Sequence, residues 1–246
     1  MKIKNTVFLL LVFFSLSIVS VFGYGISDYY NQGLDYYKIR EYDRAIESFD
    51  KVISLNKKFV GAYIGKGSVY FAQKKYDEAL VEYNKAIKYD SSYYVAYYNR
   101  GLVYLALKDY EKAMLDTDKV IKLGEKHALS YALRAQIYSD LGKYNEAIKE
   151  YTEAISLNGS NSSFYNNRGI LYQKIGQHGV AILDFNKALE LDSRNVISYY
   201  NKAYSQEALG NKDDAIKSYE MFMSIADISD SRIIAAKEKV NELKNN

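Results

Sequence analysis

Two patterns of apolar residues divide this chain. Residues 7–22, Val7 to Phe22, form an unbroken run without a charge. From residue 26 onward apolar side chains recur every three or four positions, the spacing of one face of an α-helix. In the stretch 60–93, Tyr63, Gly67, Tyr70 and Phe71 make one such block and Ala79, Leu80, Tyr83, Ala86 and Ile87 a second, with polar Gln73-Lys74-Lys75-Tyr76 between them. This predicts a helix A, a short turn and a helix B. Other turns read Lys108-Asp109-Tyr110, Gly142-Lys143-Tyr144, Gly176-Gln177-His178 and Gly210-Asn211-Lys212, a helix end followed by a new start.

The unit repeats every 34 residues. Ala45, Ala79, Ala113, Ala147, Ala181 and Ala215 form one ladder, and Tyr29, Tyr63, Tyr97, Tyr131, Tyr165 and Tyr199 a second. A third reads Gly33, Gly67, Gly101, Ala135, Gly169 and Ala203. Six units therefore run 26–59, 60–93, 94–127, 128–161, 162–195 and 196–229 without insertions. A glycine within a helix costs about 1 kcal/mol relative to alanine, so its recurrence demands a gain. The expected gain is close approach between the glycine of helix A and the alanine of helix B. One hairpin cannot bury both faces, so the units are expected to stack. Beyond residue 229, Ile233, Ala236, Val240 and Leu243 predict an amphipathic helix capping the last unit over 230–246.

These ladders, aromatic, small, Tyr, then Ala and aromatic at 34-residue spacing, resemble the tetratricopeptide repeat (TPR) family over residues 26–229. The resemblance implies an all-α fold, a right-handed α-α superhelix of antiparallel helical hairpins. The proline common near the end of a family repeat is replaced by Lys57, Ser91, Glu125, Gly159, Ser193 and Asp227. Thr117 stands where other repeats carry Phe49, Tyr83, Tyr151, Phe185 and Tyr219, which predicts a weaker helix B in the third repeat.

The run at 7–22 changes the picture of location. Lys2 and Lys4 precede it and Gly23-Tyr24-Gly25 closes it, the three parts of an export segment. Residues 1–23 are read either as a signal peptide cleaved after Gly23 or as a signal anchor retained in the membrane. About 16 residues span about 24 Å, short of the ~30 Å hydrocarbon core. Either way the repeats are expected outside the cytoplasm, in the periplasm, cell envelope or medium. Abundant Lys, Asn, Ile and Tyr would fit an AT-rich bacterial source.

Of 246 residues, 33 are Lys or Arg and 30 Asp or Glu, a net charge of +3. That is far from the basic excess a nucleic-acid binder needs. The chain has no Cys, which excludes disulfides, thiolate metal sites and Cys nucleophiles, and no Pro, in keeping with helix throughout. No catalytic constellation, metal-ligand spacing or phosphate loop is found, so no enzyme activity, metal or cofactor is expected. His127 and His178 read as solvated loop residues, and Asp213-Asp214 as a helix start. Asn158-Gly159-Ser160 and Asn161-Ser162-Ser163 fit the glycosylation acceptor pattern but are turn chemistry.

In the family resembled, the fifth, sixth, ninth, twelfth and thirteenth positions of a repeat line a ligand groove. Carried over, these positions give Tyr30, Asn31, Leu34 and Tyr37 in the first repeat, and Tyr98, Asn99 and Leu102 in the third. The fifth repeat contributes Asn166 and Asn167, and the sixth Tyr200, Asn201 and Tyr204. Asn offers both donor and acceptor to an extended peptide backbone. The Lys and Asn pair of the family's carboxylate clamp is missing, since the fifth positions are Tyr30, Ile64, Tyr98, Ala132, Asn166 and Tyr200. Lys66, Arg100, Arg134, Arg168 and Lys202 form a basic ladder expected to pair with Glu82, Asp116, Glu150 and Asp184. The expectation is an exported scaffold binding a protein or peptide in its groove, without nucleic acid, and touching membrane only through residues 7–22 if these are retained. The alternative is an anchored, self-assembling component of an envelope complex.

Overall fold

The computed structural model describes residues 25–124 and 127–245; the expected export segment lies outside the described residues. Among the described residues there are thirteen helices and no strand. They are α1 (Ile26–Lys38), α2 (Tyr42–Leu55), α3 (Val60–Ala72), α4 (Tyr76–Tyr89), α5 (Tyr94–Ala106), α6 (Tyr110–Lys122) and α7 (Ala128–Asp140). There follow α8 (Tyr144–Leu157), α9 (Ser162–Lys174), α10 (His178–Leu191), α11 (Val196–Ala208), α12 (Lys212–Ile225) and α13 (Arg232–Asn245). None of them is long and apolar enough to cross a membrane. Odd-numbered helices up to α11 fall on the predicted helix A and even-numbered ones on helix B. Two compact units divide within α5, one ending at Val103 and the other beginning at Tyr104.

In the first unit, Ala45, Phe49 and Val52 of α2 pack with Ala62 and Val69 of α3. The recurring glycine proves to face an aromatic ring, not the alanine of helix B. A Cβ on Gly33 would lie 2.7 Å from Phe49 Cε1, and one on Gly65 would lie 2.5 Å from Phe49 Cζ. Gly67 stands in the same relation to Tyr83. The physical reason is volume: deleting a side chain on helix A makes room for a whole ring, and burying Phe49 completely contributes about 2–3 kcal/mol, more than the glycine costs. In the second unit Gly169 faces Phe185 in the same way. Ala135 and Ala203 take the glycine position there, clustered with Tyr151 and Tyr219. Thr117, at the ring position, is fully buried and donates its hydroxyl to the Met114 carbonyl at 2.8 Å.

Each turn from helix A to helix B is a Schellman motif. The amide of Glu41 reaches the Tyr36 carbonyl at 2.9 Å and that of Arg40 the Tyr37 carbonyl at 3.1 Å. Lys143 and Gly142 repeat this on Tyr138 and Ser139. The residue carrying the left-handed backbone is Arg40, Lys74, Lys108, Gly142, Gly176 or Gly210. Between hairpins an Asx turn recurs. The amide two residues on donates to the side-chain oxygen of Asn56, Asp90, Asn158, Asp192 or Asp227.

The ends are finished differently. Where later repeats bury Ala62, Ala96, Phe164 and Ser198, the first carries exposed Asp28, and where they bury Val69, Val103, Ile137 and Leu171 it carries exposed Asp35. The last hairpin is covered instead by α13, whose Ala236 and Val240 pack on Ala203, Tyr219 and Phe222.

Candidate functional site

The basic ladder is the frame on which helix A is hung. Lys66 on α3 binds Asp50 of α2 at 2.7 Å and approaches Glu82 of α4 at 3.8 Å. Burial pushes the Lys66 ammonium down, but Asp50 and Glu82 outweigh it and raise its pKa. In the second unit Arg134 on α7 pairs with Asp118 of α6 at 3.1 Å and Glu150 of α8 at 2.7 Å. Arg168 on α9 bonds Thr152 of α8 at 3.0 Å and takes both carboxylate oxygens of Asp184 on α10. Each cation thus ties its own helix A to the helix B before and the helix B after. Guanidinium groups also stand over the Tyr three residues earlier, as with Arg134 over Tyr131 at 5.4 Å and Arg168 over Tyr165 at 5.8 Å. The Tyr ladder has a second duty: Tyr63 and Tyr97 donate their hydroxyls to the carbonyls of Lys57 and Ser91, six residues back. At Lys202 the paired position holds Ser218 in place of an acid, and burial lowers its pKa against the opposing pull of Asp214.

The groove positions divide by environment. In the first unit Asn31 is exposed, whereas Tyr30, Leu34 and Tyr37 are half-buried on the α2 core. Tyr30 sets its ring 5.9 Å from Phe49 and 5.0 Å from Phe59, and burial raises its hydroxyl pKa. Tyr37 leans on Tyr42 at 6.1 Å. Asn99 and Leu102 are half-buried, as is Tyr98, whose hydroxyl burial likewise shifts upward.

In the second unit Asn166 is buried, 5% exposed, and faces inward: its Oδ1 accepts from Ser198 at 2.9 Å and its Nδ2 donates to Asn167. Its amide links α9 to α11 rather than standing in a groove. Asn167 donates to the Tyr151 hydroxyl at 3.2 Å and remains half-buried. Tyr200 packs its ring on Tyr219 and Phe222. Asn201 lends its carbonyl to Gln173 at 2.6 Å. Tyr204 is 53% exposed, with the His178 ring 6.0 Å away.

A recess of about 190 Å³ opens in this unit. Gln136, Ser139 and Asp140 line it from α7, and Asn167, Ile170 and Lys174 from α9. They occupy the ninth, twelfth and thirteenth positions of one repeat and the sixth, ninth and thirteenth of the next. Gln136 donates to Asp140 at 2.7 Å, and Lys174 sits over the Tyr144 ring at 5.0 Å. Gln136, Ser139, Asp140 and Lys174 were missed by reading Asn and aromatic residues alone; their register was the signal. The histidines also differ from expectation. His127 precedes α7 and bonds the Ser130 hydroxyl through Nδ1 at 2.9 Å. His178 is the first residue of α10 and half-buried, because the turn it was assigned to ends one residue earlier.

Consecutive helical hairpins, five of them with an aromatic at the ring position and the third with Thr117, and a recess between helices A, define a helical repeat scaffold. The chain belongs to the tetratricopeptide repeat family: models described as TPR repeat or tetratricopeptide repeat match residues 27–59, 67–108, 94–127, 135–176, 162–195 and 185–217. No curated protein matches it in sequence. Among solved structures, it is similar to YrrB, a TPR protein with an unusual peptide-binding site, at 23% identity and a TM-score of 0.61, covering 78% of this chain and 99% of that one. A tetratricopeptide repeat protein from Parabacteroides merdae matches at 22% identity and a TM-score of 0.64, covering 92% and 87%. A chain of the APC/C hetero-tetramer Cut9–Hcn1 matches at 18% identity and a TM-score of 0.75; 95% of this chain corresponds to 45% of that one. At these identities the likeness is one of fold.

Proposed function

We propose that this chain is an exported interaction scaffold that binds an extended peptide segment of a partner protein along the groove positions of its A helices. What carries the reading is the recess between α7 and α9: six side chains from groove positions converge there, and four of them, Gln136, Asp140, Asn167 and Lys174, bring donors and acceptors suited to a peptide backbone. Asn31, Asn99 and Asn201 extend the amide chemistry to other repeats, and Tyr204 adds an exposed ring. YrrB, of similar fold, is described as having a peptide-binding site, which makes the use of such a surface reasonable here.

The test is capture from the source's envelope fraction by residues 24–246, beside a variant carrying Asn31, Asn99, Asn167 and Asn201 all changed to Ala. With helicity unchanged, a partner bound by the parent should be lost from the variant. A partner retained by the variant overturns the groove reading; recovery of the chain alone, in assemblies that grow with concentration, would install the self-assembling alternative. Export is tested separately by N-terminal sequencing, where Tyr24 as first residue marks cleavage and Met1 a retained anchor.

A further inference from the structure

The turn between α8 and α9 holds two asparagines in acceptor-like triplets, and they are not equivalent. Asn161 is committed to capping α9, its Oδ1 accepting from the Ser163 amide at 3.0 Å. Asn158 lies exposed just past α8 and is followed by Gly159, whose amide takes part in no hydrogen bond among the described residues. A glycine after asparagine presents no side chain against closure of its nitrogen onto the amide carbon, and it frees the torsions that closure needs. The Asn158 Oδ1 accepts from Ser160 twice, from the amide at 3.3 Å and the hydroxyl at 2.8 Å. Both donors draw electron density from Cγ and favour attack there.

We propose that Asn158-Gly159 is a self-modifying site, at which the chain converts its own amide into a carboxylate. The Gly159 nitrogen bonds to Asn158 Cγ, the Cγ–Nδ2 bond breaks, and the displaced NH2 leaves as ammonia with the proton the Gly159 nitrogen has lost. Water then opens the five-membered imide at one of its two carbonyls. One opening yields aspartate; the other yields isoaspartate, in which the backbone runs through the former side chain.

The fold discriminates between the products. Asp90, Asp192 and Asp227 fill the equivalent Asx turn with carboxylates that accept the amide two residues on at 2.9, 3.1 and 2.9 Å. Aspartate at 158 therefore fits a template the chain already uses three times. Isoaspartate adds a backbone carbon and removes the acceptor from its place, which breaks the turn joining α8 to α9. Asn56 supplies an internal control, because it makes the same turn through Lys58 at 2.9 Å but is followed by Lys57.

The experiment is incubation of the whole chain at mildly alkaline pH, followed by peptide mass spectrometry and enzymatic labelling of isoaspartate. The peptide containing Asn158 should gain the mass of an amide-to-acid exchange roughly tenfold faster than that containing Asn56, because only Gly159 leaves the attacking nitrogen unhindered. Gly159→Ala should remove most of that difference, its Cβ lying an acceptable 3.4 Å from the Ile155 carbonyl. Asn158→Asp should melt with the parent, and aged protein rich in isoaspartate below it. Equal rates at Asn158 and Asn56, or an unchanged rate in Gly159→Ala, overturn the site; equal melting of aged and fresh protein overturns the discrimination between products.

Discussion

The first three hairpins and the last three turn the same corner with different residues. Arg40, Lys74 and Lys108 adopt φ of 63°, 60° and 59°, while Gly142, Gly176 and Gly210 adopt 73°, 77° and 75° in the same hydrogen-bonded motif. A side chain in this left-handed region costs about 1 kcal/mol or more, a cost glycine escapes. The motif is therefore dictated by the packing of helix A on helix B, and the early hairpins accept local strain to keep it. The regions differ again where helices A of neighbouring repeats stack. Val69 is buried among apolar side chains, whereas Ser205, at the equivalent position, is buried and receives Gln173 Nε2 at 2.7 Å. The fourth and fifth hairpins keep apolar Ile137 and Leu171 at this position, so the exchange of apolar packing for a hydrogen bond belongs to the last hairpin.

Swapping the stacking residues tests this most strongly. Val69→Ser removes buried apolar volume and leaves a hydroxyl without a partner, an expected loss of about 3 kcal/mol. Ser205→Val deprives Gln173 of one acceptor and should cost about 1 kcal/mol; urea midpoints of the two variants measure the difference, and equal losses would erase the distinction. Next in size is the ladder. Arg168→Met leaves the Asp184 carboxylate, 8% exposed, without its bidentate partner, an expected loss of about 2–3 kcal/mol. Lys66→Met should cost about 1 kcal/mol, since its closer acid, Asp50, is 53% exposed and can return to water. Amide exchange in α9 and α3 reads both.

The turns come third. Arg40→Gly, Lys74→Gly and Lys108→Gly should each stabilise by about 1 kcal/mol, and Gly142→Lys, Gly176→Lys and Gly210→Lys should each lose as much. Thermal melting of the two triple variants should move in opposite directions. The smallest effect belongs to the C-terminal region. Asp230, bonded by the Arg232 side chain and amide, has its pKa lowered to about 2. Its folded pKa lies below its unfolded one, so its contribution is complete above about pH 4 and is lost as pH falls toward 2. Carboxyl NMR titration should place Asp230 at about 2, and Asp230→Asn should flatten the acid-induced loosening of α13.

Helices, turns and register were legible because each ladder repeats one physical requirement six times, and agreement among Ala45, Ala79 and their equivalents averages out local noise. Which surfaces the ladders join was not. Gly33 announces closeness without naming its neighbour, and it is the fold that sets Phe49 in the space. The left-handed turn at Arg40, Lys74 and Lys108 was hidden because arginine and lysine carry no preference for it; Gly142, Gly176 and Gly210 carried the readable sign. Groove residues were legible by position and not by type. Asn166 and Asn167 are adjacent and chemically identical, yet one is bonded to Ser198 inside the stack and the other borders the recess.

The basic ladder has a consequence for how such a chain changes length. Because Arg134 and Arg168 each reach a partner 16 residues before and 16 after, each of the two junctions they serve contains its own complete fastening. Unequal recombination that drops or adds a 34-residue coding segment would join a helix B to a cation of the same kind in the same register. Copy number can thus drift in an ancestral gene without a stranded charge at the new seam, provided that the acidic first face with Asp28 and Asp35 and the α13 cover are inherited intact.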